Sequence, residues 1–137
     1  MTDAEYDAIQ ARILALAAKW LLVLGLHQWR VEHQWHRDGI PVVAENAADN
    51  WQTVAYAKVK WPYQYVAFAW NCPELAEKDD DRLEEIFLHK CVHVLVNEMR
   101  EWHDHTSETA IDHEERVVTM VTNALRWTRD AATKEQR

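Results

Sequence analysis

The stretch whose reading decides the fold is LEEIFLHKCVHVLV, residues 83–96. From Ile86 to Val96 it is apolar almost all the way round a helical wheel, interrupted only by Lys90 and two histidines. A surface helix keeps a polar face for water, so this one is expected to be central and buried. His89 and His93 stand four residues apart, which puts both imidazoles on one face, one turn from each other. That is the spacing two ligands of a single metal ion need. Glu85 falls on the same face one turn earlier.

An H-x-x-x-H spacing alone arises often by chance, so its weight depends on what the next helix brings. That helix is expected to start at Thr106, Ser107 or Asp112, each a good N-cap, and to end near residue 130, with a tail that frays. Ile111, Val117, Val118, Val121 and Leu125 mark its buried stripe, and Glu114 lies on that stripe. A buried carboxylate without a partner is costly, and a metal ion would be such a partner. Asp112-His113-Glu114-Glu115 has the form of a capping box in which Glu115 folds back on the helix start, leaving Glu114 free. The ligand set expected from the residues is therefore His89, His93 and Glu114, with Glu115 and His113 as alternatives. Two imidazoles, one carboxylate and an open fourth position suit Zn²⁺. Glu85 could orient His89 by accepting its free ring N–H.

Upstream, Ile9, Ile13, Leu16, Ala17, Trp20, Leu21 and Leu24 recur at three and four residues, a helix capped by Thr2 or Asp3 and ended by Gly25. Residues 28–37, QWRVEHQWHR, alternate with period two and read as a half-buried strand, with His33 on its apolar face as a hydrogen-bonded core or edge histidine. Asp38-Gly39 is a turn, and residues 41–50 form an irregular connection. Residues 51–61 and 63–70 are two further strands separated by Pro62, either an antiparallel hairpin or one long bent strand. The run EKDDD, residues 77–81, is expected to be a solvated helix entry rather than a calcium site. His103 and His105 sit in a turn and are expected to be exposed. The layout is α+β: an N-terminal helix, a three-stranded sheet, the central motif helix and a C-terminal helix, in one domain of 137 residues.

The segment HKCVHVLVNEM resembles the H-E-x-x-H active-site helix of zincin metallopeptidases, and the layout around it resembles the small gluzincin-like proteins of tailed phages. The resemblance implies a zinc ion on His89 and His93, a glutamate ligand from the last helix, and an edge strand that pairs with an extended peptide, here Gln64, Tyr65, Val66, Ala67 and Phe68. The 21 residues from His93 to Glu114 match the order of separation such proteins use. One position departs from the pattern. Lys90 stands where the family has its general-base glutamate, and a lysine cannot accept a proton from metal-bound water unless its pKa is strongly depressed. The expected function is therefore a zinc-binding, zincin-like module without peptidase activity. The alternatives are a peptidase with Glu85 or another carboxylate as base, and a metal-free interaction module.

Composition narrows the partners. A net charge of −8 with no basic cluster argues against nucleic acid, and the eight tryptophans are then expected to pack the core rather than stack on bases. The longest apolar run, residues 20–26, is too short to span a bilayer, and no basic, apolar leader opens the chain. Cys72 and Cys91 share no C-x-x-C spacing and read as reduced thiols. An intracellular location follows as the expectation, which for a phage-type protein means the host cytoplasm or the particle, with a protein or peptide as the partner.

Overall fold

The computed structural model describes residues 1–40, 54–101 and 108–135. Helix α1 spans Asp3–Val23, followed by strand β1, Arg30–His36. Strands β2, Ala55–Lys60, and β3, Tyr65–Asn71, flank a single 3-10 turn, Trp61–Tyr63. Short helix α2, Cys72–Ala76, leads into α3, Asp80–Glu101, and the chain closes with α4, Glu108–Glu135. The expected α+β layout is the observed one. The expected loop at 41–50, the first residues of the 51–61 strand and the turn carrying His103 and His105 lie outside the described residues. No helix among the described residues is long and apolar enough to cross a membrane.

Local chemistry sets the element ends. Thr2 caps α1 by accepting from the Glu5 backbone N–H at 3.1 Å while Glu5 accepts from the Thr2 N–H at 2.7 Å, a complete capping box. Gly25, with φ of 73°, takes the left-handed turn after the helix that a side chain would resist. Asp79 accepts from the Arg82 N–H at 2.8 Å, so the acidic run is the entry to α3. The same run docks its neighbours: Asp80 binds Arg12 of α1 at 2.9 Å, and Asp81 binds Arg126 of α4 at 2.7 Å.

The sheet order is β1-β3-β2, with β1 parallel and β2 antiparallel to β3. Register puts Val31, His33 and Trp35 beside Val66, Phe68 and Trp70, and these beside Val59, Ala57 and Ala55, all on the face that meets the helices. Phe87 of α3 stacks on Trp70 at 5.7 Å and lies 6.2 Å from Phe68, while Ile9, Ile13 and Trp20 of α1 complete the core. Trp70 donates its indole N–H to His33 Nδ1 at 2.9 Å, so His33 is the bonded histidine of the apolar face. Burial lowers its pKa.

This order corrects one expectation. The strand expected to sit at an edge and receive a peptide, Gln64 to Phe68, is central from Tyr65 onward, and its backbone N–H and C=O groups are taken by β1 and β2. Strand addition needs an unpaired row of those groups, so β3 cannot dock a peptide that way. Among the described residues the edges are β1 and β2.

The tryptophan expectation holds for Trp20 and Trp70, which are buried, but Trp127 on α4 is largely exposed. Helix α4 also runs further than expected, to Glu135.

Candidate metal centre

Helices α3 and α4 lie antiparallel, since His93 meets Glu114 at one end while Asp81 meets Arg126 and Arg129 at the other. The far end is closed by ion pairs. Glu84, buried on α3, accepts from Lys19 Nζ at 3.0 Å and Trp20 Nε1 at 3.2 Å, and pairs with Arg129, which ties three helices to one carboxylate. Its role was not visible in the sequence, where it is one acid among 23.

At the near end, His89 and His93 project from α3 toward the first turns of α4. Their Nε2 atoms are 3.2 Å apart. Glu115 reaches both, with Oε2 3.2 Å from His89 Nε2 and Oε1 2.8 Å from His93 Nε2. One ligand atom from each of the three residues can be chosen so that all lie within 4.8 Å of one another, close enough to hold a metal ion. Glu114 stands on the other side of the ring, its Oε1 2.8 Å from His93 Nδ1.

The two glutamates thus have the reverse of the expected placement. The preference for Glu114 rested on a capping box at Asp112, one of three expected starts, with Glu115 kept as an alternative ligand. The helix instead starts at Glu108, so Glu115 is an interior residue whose side chain is free to project toward α3. Glu114, only 7% exposed, fills the inner position behind His93, whereas the Glu115 side chain is 43% exposed. His113, the other alternative, is off the site and receives Arg116 at 3.0 Å. The Glu85 carboxylate is engaged by Arg82 at 2.7 Å and Arg126 at 3.6 Å.

The charges are mutually arranged. Burial pulls the His93 pKa down, but hydrogen bonds to Glu114 and Glu115 outweigh it and the net shift is upward. Burial dominates at His89, whose pKa falls. Glu115 is held well below the usual carboxylate range by His89 first and His93 second. Lys90, 5% exposed and next to His89 in sequence, disfavours protonation of both imidazoles through its charge. Cys91 is wholly buried on the same helix, and desolvation keeps its thiol protonated.

Comparison with protein-family models, with curated proteins and with solved structures finds no match. The resemblance to zincins therefore rests on the motif HKCVH and the layout.

Proposed function

We propose that this chain is a zincin-like protein that holds a zinc ion between α3 and α4 through His89, His93 and Glu115, and that it works as a binding or structural module rather than a peptidase. The observation that carries the reading is the convergence of two imidazole Nε2 atoms and one carboxylate on a common point. The donor set fits. Two nitrogens bound at the ordinary Zn–N distance in a tetrahedron lie roughly 3.3 Å apart, and these two are 3.2 Å apart. Glu114 on Nδ1 fixes the His93 ring and raises its basicity, as carboxylates behind metal-binding histidines do. The more open side of the group is at Glu115, which leaves a path for the ion.

Two features support the absence of hydrolysis. The position of the general base is filled by Lys90, and Glu85, the nearest substitute, is committed to two arginines. A bound zinc would supply Lewis acidity to a water molecule; Lys90 puts no carboxylate at the position from which the family takes the proton.

A metal-free reading has its own support, because His93 between two carboxylates already forms a complete ion cluster. Metal content decides between them. Protein purified without chelator is expected to contain about one zinc per chain. His89→Ala, His93→Ala and Glu115→Ala are each expected to lose it, while Glu114→Gln keeps the stoichiometry with affinity weakened roughly 10- to 100-fold. Zinc-free protein that also fails to bind added zinc would establish the metal-free reading. Casein cleavage by the unaltered, zinc-loaded chain would overturn the non-peptidase assignment, and Lys90→Glu is the change expected to create some.

A further inference from the structure

The outward face of the sheet carries a second group that the metal centre does not use. Arg30, Tyr65 and Lys60 form one row across the three strands, each a direct partner of the central tyrosine. Residues opposite each other in neighbouring strands point the same way from the sheet, so two cations flank one phenol ring. With Glu32 and Tyr63 they line an open surface depression of about 390 Å³.

Two of the three donors already meet Glu32, and Lys60 is the one left over among the described residues. Tyr65 gives its O–H to Glu32 at 2.9 Å, and Glu32 meets Arg30 only at 3.4 Å. The Arg30 guanidinium leans over the Tyr65 ring, 5.8 Å from its centroid, with its side chain mostly in solvent. Lys60 has no ion-pair partner among the described residues. The lining therefore carries two positive charges and one negative in a chain whose net charge is −8.

The rim is held rigidly. Trp61 donates its indole N–H to the Val94 carbonyl of α3 at 2.9 Å and meets Trp29 edge-on at 4.8 Å. Gln64 closes the turn in the left-handed region, at φ 47° and ψ 50°, a conformation few residues other than glycine, asparagine and aspartate adopt readily. Its N–H reaches the Trp61 carbonyl and its own carbonyl accepts from the Arg30 N–H, both at 2.9 Å. The turn so fixed holds Tyr63 79% exposed beside the depression. A strained turn that displays an aromatic ring is the kind of local cost that ligand clamps carry.

We propose that this pocket binds a small anion carried on a flat ring, an aryl phosphate or aryl carboxylate, with the ring on Tyr63 and the oxyanion between Arg30 and Lys60. The planar guanidinium can meet two oxygens at once, and the ammonium supplies a point charge opposite. The inference is independent of the zinc reading.

The test is an amide chemical-shift titration of the full chain with phenyl phosphate and with benzoate. Benzyl alcohol serves as the ring without charge and inorganic phosphate as the charge without ring. Saturable shifts centred on Arg30, Lys60, Tyr63 and Gln64 are expected for one or both aryl anions, with both controls about tenfold weaker or more. Lys60→Glu and Tyr63→Ser are each expected to weaken binding by about tenfold with the melting temperature unchanged. Both residues are exposed, and Tyr63→Ser decides the matter if Lys60→Glu disturbs the strand. No saturable shift with either aryl anion, equal binding of either control, or unaltered affinity in the variants would each overturn the proposal.

Discussion

His93 presents both ring nitrogens to carboxylates, Nδ1 to Glu114 and Nε2 to Glu115, and that arrangement fixes the response of the site to pH. The folded-state pKa of His93 is raised, so its stabilising contribution in the metal-free protein is complete below the ordinary imidazole range and is lost as pH rises through the raised value. Glu115 runs the other way. Its pKa is lowered, so its contribution is complete above the ordinary carboxylate range and is lost as pH falls below it. These two groups favour the interval between the ranges, while His89, whose pKa is lowered, works against them by losing stability as pH falls below the ordinary imidazole range. A metal ion must displace the proton from His93, so its affinity should rise as pH rises through the raised His93 value. Calorimetry in two buffers of different ionisation heat should show proton release on zinc binding below the raised His93 pKa that disappears above it. Binding with no proton release at any pH would remove His93 Nε2 from the ligand set.

At the scale of elements, the α3–α4 pair is fastened at one end by Asp81, Glu84, Arg126 and Arg129 and carries the histidines at the other. Glu84→Gln removes the charge that Lys19 and Arg129 share, and removing one partner of a buried pair leaves the other uncompensated. A loss of about 3 kcal/mol is expected, toward the low end for such changes because Lys19 is half exposed. Denaturant unfolding measures it, and a change near zero would mean that α4 is held by its apolar stripe alone. The sequence showed some of this and hid the rest for physical reasons. Helix α3 was legible because a segment apolar on every face has nowhere to go but the core. The α1 cap was legible because Thr2 and Glu5 carry their own local chemistry. The choice between Glu114 and Glu115 was not, because the two lie one residue apart and the expected starts at Thr106, Ser107 and Asp112 left either free to face α3. Glu84 was hidden because its partners lie on α1 and on α4, 65 residues upstream (84 − 19) and 45 downstream (129 − 84).

At the scale of the molecule, the central place of β3 is what most limits the likeness to a peptidase. One signal for it was present in the chain. YVAFAWN has apolar residues on both faces, Val66, Phe68 and Trp70 inward and Ala67 and Ala69 outward, and all five are buried. A strand whose residues are buried on both faces is uncommon at an edge. The strand order itself is a matter of distant pairing and cannot be read from local pattern. It leaves the histidine pair among the helices and the Arg30–Tyr65–Lys60 row on the outward face, on opposite sides of the sheet.

That same strand order has a temporal side. Lys60 and Tyr65 are five residues apart and can pair as soon as the hairpin closes, whereas Arg30 and Tyr65 are 35 apart (65 − 30) and close a far longer loop. The β2–β3 hairpin is therefore expected to form ahead of β1, giving larger φ-values for Val59→Ala than for Val31→Ala, and the reverse ranking would refute this order. During synthesis β1 emerges first, with Trp29, Val31 and Trp35 exposed, and must wait for β3 before it has a neighbour. For that interval the nascent chain displays a sticky ribbon, so conditions that lengthen the wait should favour aggregation over completion.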